Sequence, residues 1–203
     1  MADLATLYPQ SPSFNAVSFR VNTPTLTSET FSGKIRRTGY GNSFYTWQAK
    51  YPILKPTEAG IVTGYLAQTY GPAFSFEIII PEISNSKSIN QPTSTPQTSA
   101  SASKGEKTVT LTNCGANTVL LGGDYIKFDN HSKVYQVVGT ATADGSGNMT
   151  LYFSGSLVDD VPSGTDLIFN NVRFTAIVDS DFQQFDVGMG GMTSLTVNMR
   201  EVW

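Results

Sequence analysis

The residues that could act as nucleophiles or bases are few in this sequence. It contains one histidine, His131, and one cysteine, Cys114. A serine or cysteine nucleophile needs a nearby base. His131 lies in the stretch DNHS, whose aspartate and asparagine are ordinary turn formers. The GxSxG motif of a nucleophile elbow is absent from the sequence. These observations predict no nucleophilic catalysis.

The sequence supports a metal, phosphate or glycosidase site no better than it supports nucleophilic catalysis. A zinc site would have to combine His131, Cys114 and carboxylates, and their spacing fits no zinc motif. The glycine-rich GMGGM at 188–192 lacks the Lys and Ser/Thr of a phosphate loop. Asp159, Asp160 and Glu77 could supply a carboxylate pair, but neighbours in a strand point to opposite faces. We expect no catalytic, cofactor-binding or metal-binding residues.

Aromatic side chains offer a better case for a binding site. Tyr125, Tyr135, Tyr152 and Phe153 fall in a region that predicts a small β-barrel, and such barrels can present aromatic platforms to sugars. The other interpretation is that the four residues belong to a core or an interface. A glycan- or surface-binding module therefore stays open as an alternative function.

The densest basic cluster consists of Lys34, Arg36 and Arg37. It is typical of a solvated strand edge, and a phosphate or partner contact is the second interpretation. The chain as a whole has a net charge of −3 and a pI of about 5.1. Without a basic tail or stripe, the sequence does not indicate a nucleic-acid-binding protein.

Charged residues make up only 14% of the 203 residues, against roughly 25% in soluble proteins. Neutral polar residues or a partner subunit must therefore cover the surface, as in a β-rich structural protein. The N-terminal stretch MADLATLYPQ does not resemble a signal peptide. No apolar run is long enough to span a membrane. We expect a soluble protein, made in the cytoplasm and without a membrane anchor.

Alternating apolar and polar residues predict strands at both ends of the chain. NSFYTWQAKYP places Tyr45, Trp47, Ala49 and Tyr51 on one apolar face, and TSLTVNM alternates in the same way near the C-terminus. In between, YIKF and KVYQVV flank DNHS and predict a hairpin. The fold class is thus all-β, or mainly β with one helix.

The helix is predicted at about 56–70. Pro56 suits its first turn, and Gly71 can end it in a left-handed conformation. An apolar stripe at helical spacing is predicted to face the sheet, and it consists of Ile61, Val62, Tyr65, Leu66 and Tyr70. Gly60 and Gly64 share a face, which predicts close approach of the helix backbone to a sheet or to a neighbouring subunit.

Residues 84–106 contain no aromatic residue and one large aliphatic residue, Ile89. Such a polar segment buries too little apolar surface to offset its ordering entropy, so it predicts a flexible linker or exposed loop. Mucin-like glycosylation is the alternative, but it requires secretion. The sequence then divides into a host β-domain, 1–83 with 178–203, and an inserted small β-barrel or sandwich at 107–177.

The segment from SGKIRR to FEIIIP resembles distal tail proteins and related tail-tube-like proteins of tailed bacteriophages. The resemblance rests on a basic strand, an aromatic strand ending in YP, a helix beginning near an acidic–alanine pair, a glycine at its end and a strand stopped by proline. In this sequence the corresponding residues are Lys34 to Arg37, Tyr45 to Pro52, Glu58 with Ala59, Gly71, and Phe74 to Pro81. VYQVV with the turn DGSGN resembles a small barrel of phage virion proteins, and LTVNMREVW is similar to the closing strand of the tail proteins.

The resemblance implies a split β-barrel host domain covered by one helix, assembled as a homohexameric ring in the virion tail. Such a ring would join the tail tube protein to a baseplate or hub protein, with DNA only as passing cargo during ejection. Gly60, Gly64, Trp47 and Trp203 are the residues expected at subunit or packing contacts. The alternative is a glycan- or host-surface-binding module of a virion protein.

Overall fold

The computed structural model describes residues 6–39, 42–181 and 184–203. Within these ranges the chain is mainly β, with one α-helix, α1 (Pro56–Gln68), and 3₁₀ turns at Gly71–Ala73 and Met189–Gly191. The strands are β1 (Ala16–Asn22), β2 (Thr25–Glu29), β3 (Ile35–Gly39), β4 (Phe44–Lys50), β5 (Phe76–Ile79), β6 (Gln97–Thr98), β7 (Thr108–Thr112), β8 (Val119–Leu120), β9 (Tyr125–Phe128), β10 (Val134–Gln136), β11 (Ala141–Thr142), β12 (Met149–Tyr152), β13 (Leu167–Ile168), β14 (Arg173–Val178), β15 (Phe185–Val187) and β16 (Thr193–Glu201). They form several antiparallel sheets, and none closes into a barrel within the described ranges. The predicted class, mainly β with one helix, is confirmed.

The described residues divide into two compact units. The first is drawn from Met1–Val21, Phe44–Ile80 and Arg173–Trp203, and the second from Asn22–Ser43 and Pro81–Val172. Each unit has its own buried apolar residues.

The first unit is built on one sheet with the strand order β1-β4-β16-β14-β5, and β15 also pairs with β16. Ala49 on β4 lies opposite Val197 on β16, and Phe174 on β14 lies opposite Ile78 on β5. Buried and more exposed residues alternate along β4 and β16. The alternation predicted for these two strands is confirmed, because one face of the sheet is buried and the other is open.

Aromatic rings fill the buried face of this sheet. The Phe174 ring lies 5.7–5.9 Å, centroid to centroid, from the rings of Phe19, Tyr45 and Trp47. The indole N–H of Trp47 donates to the Met199 sulfur at 3.2 Å. These edge-to-face and stacked contacts make a dense core from strands that are distant in the sequence.

Helix α1 begins at Pro56 as predicted, and the Lys55 N–H donates to the Glu58 carboxylate just before it. It ends at Gln68, two residues earlier than expected, and Tyr70 and Gly71 then take left-handed conformations. The left-handed backbone conformation, which favours glycine, therefore begins two residues after the last helical residue.

The apolar stripe of α1 is only partly as predicted. Its buried residues are Ala59, Val62, Tyr65 and Leu66. Ile61 and Tyr70 are exposed, so their assignment to the buried face was wrong. Ile61 lies about 100° around the helix from Val62, and Tyr70 lies beyond the last helical turn.

The second unit contains short sheets around a shared apolar core. Their strand orders are β10-β9-β13, β12-β7-β6 and β11-β8, with β2-β3 as a separate hairpin. Leu111, Ile126, Phe128 and Leu151 are among the fully buried core residues. The hairpin predicted around DNHS is confirmed, because β9 and β10 pair antiparallel with Ile126 opposite Tyr135.

Residues 84–106, expected to be a flexible linker or an exposed loop, are mostly loop and exposed, with contacts to the rest of the second unit. β6 lies in this segment and pairs with β7, and the Ala102 and Val161 backbones bond each other. The Ser86 hydroxyl donates to buried Asp124 at 2.6 Å, and Thr98 is also buried. Hydrogen bonds between polar groups hold the segment in place together with the burial of Pro92, Pro96 and Ala102.

The bounds of the inserted region also differ from 107–177. Strand β14 pairs with β5 and β16, so it belongs to the sheet of the first unit. Residues 22–43, expected in the host domain, group with the second unit. The alternation of Phe174, Ala176 and Val178 predicts a strand, but it does not say which distant strand is its partner.

Candidate functional site

Cys114 and His131 are each held in local contacts of the second unit. Burial, followed by the nearby Asp144 carboxylate, raises the pKa of the Cys114 thiol to about 11. His131 Nε2 lies 2.8 Å from the Tyr135 hydroxyl, which also accepts the Val158 N–H. Burial lowers the pKa of His131. The Cys114 thiol lies 3.7 Å from the Thr112 carbonyl oxygen. No group of three or more His, Cys, Asp or Glu side chains in the described ranges could hold a metal ion.

The carboxylates considered for catalysis have structural partners. Glu77 forms an ion pair of 2.9 Å with Arg173 across β5 and β14. Asp160 accepts the Lys104 N–H at 2.7 Å, and Asp159 accepts the Asp160 N–H at 2.9 Å. Asp159 and Asp160 lie in a loop rather than in the strand considered above.

The four aromatic residues proposed for sugar binding separate into two kinds. Tyr125, Tyr135 and Phe153 are buried in the second unit, as the core interpretation predicts. Tyr152 is 56% exposed at the end of β12. Buried and exposed residues alternate along β12. Tyr152 and the next residue, Phe153, therefore face opposite sides, and only Tyr152 is exposed.

Tyr152 belongs to a surface that we name the threonine face, the outward side of β6, β7 and β12. Thr150 on β12 lies opposite Thr110 on β7, and Tyr152 lies opposite Thr108. Together with β11, this surface borders a groove of about 630 Å³. The groove is lined by Ser99, Thr110, Leu111, Thr140, Ala141, Thr142, Ala143, Asp144, Asn148, Met149, Thr150 and Tyr152. The stretch TVTLT predicted the strand, but its outward threonines were not recognised as a surface.

A second exposed feature is the hairpin of β2 and β3, residues 25–39, which we name the arm. Every residue of its two strands is exposed, and Phe31 at the tip is fully exposed. Leu26 and Ile35 are more than half exposed, although they are apolar. The predicted basic cluster lies here, with Arg36 opposite Ser28 and Arg37 opposite Thr27. The arm thus combines exposed apolar and basic side chains.

The open face of the first unit is polar. Ser194, Thr196 and Asn198 of β16 line a groove of about 280 Å³ together with Asp186. The Gln48 amide donates to the Asn198 side chain at 3.0 Å. Asp179, Asp181 and Asp186 are exposed in this unit. Lys50 and Arg200 are exposed on the same face, so this surface offers short hydrogen-bonding groups and charged groups of both signs.

The predicted contact residues occupy different environments. Gly60 and Gly64 are exposed, and a Cβ atom at either position would meet no described atom within 4 Å. Their interpretation as points of close approach to the chain's own sheet was therefore wrong, and contact with a neighbouring subunit stays a prediction. Trp47 is 3% exposed in the core of the first unit, and Trp203 is 50% exposed.

Comparison with known proteins finds no protein-family model and no curated protein that matches this sequence. A search of the described ranges for a helix with the length and apolar character needed to cross a membrane finds none.

Proposed function

We propose that this protein is a structural component of a bacteriophage tail. In this proposal copies of the chain form a ring that joins the tail tube to the baseplate or hub around the DNA channel. The observation that carries the proposal is the arm, whose strands are exposed along their whole length. The sequence resemblance to distal tail proteins supplies the biological setting.

The two strands of the arm are not buried by the rest of the described chain. A two-stranded hairpin is at best marginally stable in water without further packing. Phe31, Leu26 and Ile35 are apolar and exposed, and Leu26 and Ile35 lie on opposite faces of the hairpin. In a closed ring, each copy of the chain would bury these side chains of its neighbour.

In the proposal, the first unit of a neighbouring copy is the docking surface. The arm carries Lys34, Arg36 and Arg37, and the first unit exposes carboxylates, such as Asp179 and Asp186, among cations. Opposite charges of this kind orient association and fix its register. In the proposal, the host domain forms a split β-barrel arrangement within the ring, and six copies complete it.

In the proposal, DNA passes through the ring as cargo. The net charge of −3 suits such a conduit, because strong binding to DNA comes mainly from cations placed on phosphates. The protein would be made in the host cytoplasm and end in the virion tail.

Light scattering on the purified protein tests the proposal. We expect wild-type protein to form an oligomer and the double variant Arg36→Glu/Arg37→Glu to shift towards one copy. The matched control is Lys104→Glu/Lys107→Glu, which reverses two exposed lysines outside the arm and should leave the oligomer intact. A monomeric wild-type protein, both alone and with its tail tube and hub partners, would overturn the proposal.

A further inference from the structure

The threonine face has features that the ring proposal does not use. It joins one exposed aromatic ring, Tyr152, to a groove bordered by hydroxyl groups from β7, β11 and β12. Val138 is also 56% exposed, and its N–H donates to the Tyr152 carbonyl at 2.8 Å, which brings the two residues side by side. An apolar platform therefore lies next to a row of hydrogen-bonding groups.

From this geometry we propose that the threonine face binds a neutral carbohydrate chain. The Tyr152 ring stacks against the apolar face of one sugar ring, and Val138 widens that platform. Thr110 and Thr150 lie opposite each other in the register, and their hydroxyls bond to sugar hydroxyls. The Thr110 hydroxyl accepts a hydrogen bond from the Ser99 hydroxyl at 2.7 Å and keeps its own proton to donate. A threonine hydroxyl both donates and accepts hydrogen bonds, which matches the chemistry of a polyol.

The charges of the groove select a neutral ligand. Of its described lining residues only Asp144 is charged. The Asp144 carboxylate is already engaged, because it accepts the backbone N–H groups of Ser146 at 2.8 Å and Asn148 at 2.9 Å. No lysine or arginine lines the groove in the described part of the chain. An anionic polysaccharide or a nucleic acid would thus find no cation there, whereas a neutral glycan needs none.

The size and openness of the site favour a chain over a single sugar. A volume of about 630 Å³ lies within the range of roughly 300–1,000 Å³ that is usual for ligand sites. The lining follows the strands, so successive sugar units can lie along them. Binding at one copy would be weak, and a ring of copies would strengthen it through multivalency.

Affinity electrophoresis of the full-length protein in gels containing neutral polysaccharides tests the inference. The probes are dextran, laminarin and galactomannan, with alginate and heparin as anionic comparisons. We expect retardation by at least one neutral polymer. Tyr152→Ala should weaken it by about tenfold or more, as for an aromatic binding hot spot. Tyr152→Phe should retain most of the affinity, because the stacking surface remains.

Two further variants separate binding from folding and from assembly. Thr150→Val removes a hydroxyl while nearly keeping the shape, and we expect it to weaken binding. Tyr70→Ala, at an exposed tyrosine of the first unit, should bind as wild type. The monomer-directed arm variant, Arg36→Glu/Arg37→Glu, should keep its affinity for a short neutral oligosaccharide, so that failure of the ring proposal is distinguishable from failure of this one.

The results that would overturn the inference are specific. They are no retardation by any of the three neutral polymers, unchanged retardation of a folded Tyr152→Ala protein, or stronger retardation by heparin or alginate than by the neutral polymers. Thermal unfolding of each variant establishes that it is folded.

Discussion

Replacing Asp124 with alanine should release the segment 84–88 from the second unit. The Asp124 carboxylate is 1% exposed and accepts three hydrogen bonds. The Ser86 hydroxyl donates at 2.6 Å, the Lys87 N–H at 3.0 Å and the Leu121 N–H at 3.1 Å. A hydrogen bond to a charged group contributes about 1.5–3 kcal/mol, and an unpaired buried donor costs about 1–3 kcal/mol. Because the three hydrogen bonds share one acceptor group, their free-energy contributions do not simply add. We therefore expect a loss of about 3–5 kcal/mol in the free energy of local opening.

Hydrogen exchange with mass spectrometry measures this loss on peptides that contain Lys87 and Leu121. A change of 3–5 kcal/mol corresponds to exchange that is roughly a hundredfold to several thousandfold faster. Asp124→Asn keeps one acceptor oxygen and should have an intermediate effect. Asp129→Ala, at an exposed aspartate of the same unit, should change stability by no more than about 0.5 kcal/mol.

Exchange of the wild-type segment 84–88 as fast as in an unfolded peptide would refute the assigned role of Asp124. That role is also refuted if the Asp124→Ala variant folds and protects this segment as the wild type does. Either result would restore the sequence-based interpretation of a flexible linker.

Three further predictions concern the cores. Phe174→Ala should lower the free energy of unfolding by about 3–5 kcal/mol, whereas Phe31→Ala at the exposed arm tip should change it by about 0.5 kcal/mol or less. Denaturant unfolding compares the two, and equal losses would contradict the assigned burial. Burial raises the pKa of Tyr51, which donates to the Tyr8 hydroxyl, to about 12. The contribution of protonated Tyr51 to stability is then complete below about pH 10 and is lost as the pH rises towards about 12. Absorbance titration of Tyr51→Phe against wild type checks this, and a normal tyrosine titration throughout would count against it. Cys114, with a pKa of about 11, should react with iodoacetamide at pH ~8 far more slowly in the native protein than in the unfolded one; equal rates would show an exposed thiol.

The parts of the fold that could be predicted are those in which local patterns decide the outcome. Tyr45, Trp47 and Ala49 alternate with polar residues, and a sheet with one buried face requires this pattern. The turn DNHS lies between two apolar runs, and the hairpin forms there. Pro56 marks the start of α1 through its own backbone preference, whereas the predicted end at Gly71 lies past the last helical residue, Gln68.

The errors concern features that depend on distant residues. The order of 84–106 comes from partners such as Asp124 and Val161, which its own composition does not reveal. The pairing of β14 with β5 joins segments separated by almost half of the chain. For the same reason, the sequence suggested a set of aromatic candidates but could not show that Tyr152, unlike Tyr135, faces outward.

Electron microscopy of the purified wild-type protein tests the central claim most directly. The ring proposal predicts closed particles of six copies, each copy of 21.9 kDa, with a central opening. In three-dimensional reconstructions, the arm of each copy should lie on the first unit of its neighbour. Particles of a single copy, or oligomers in which residues 25–39 stay solvent-exposed, would contradict the account.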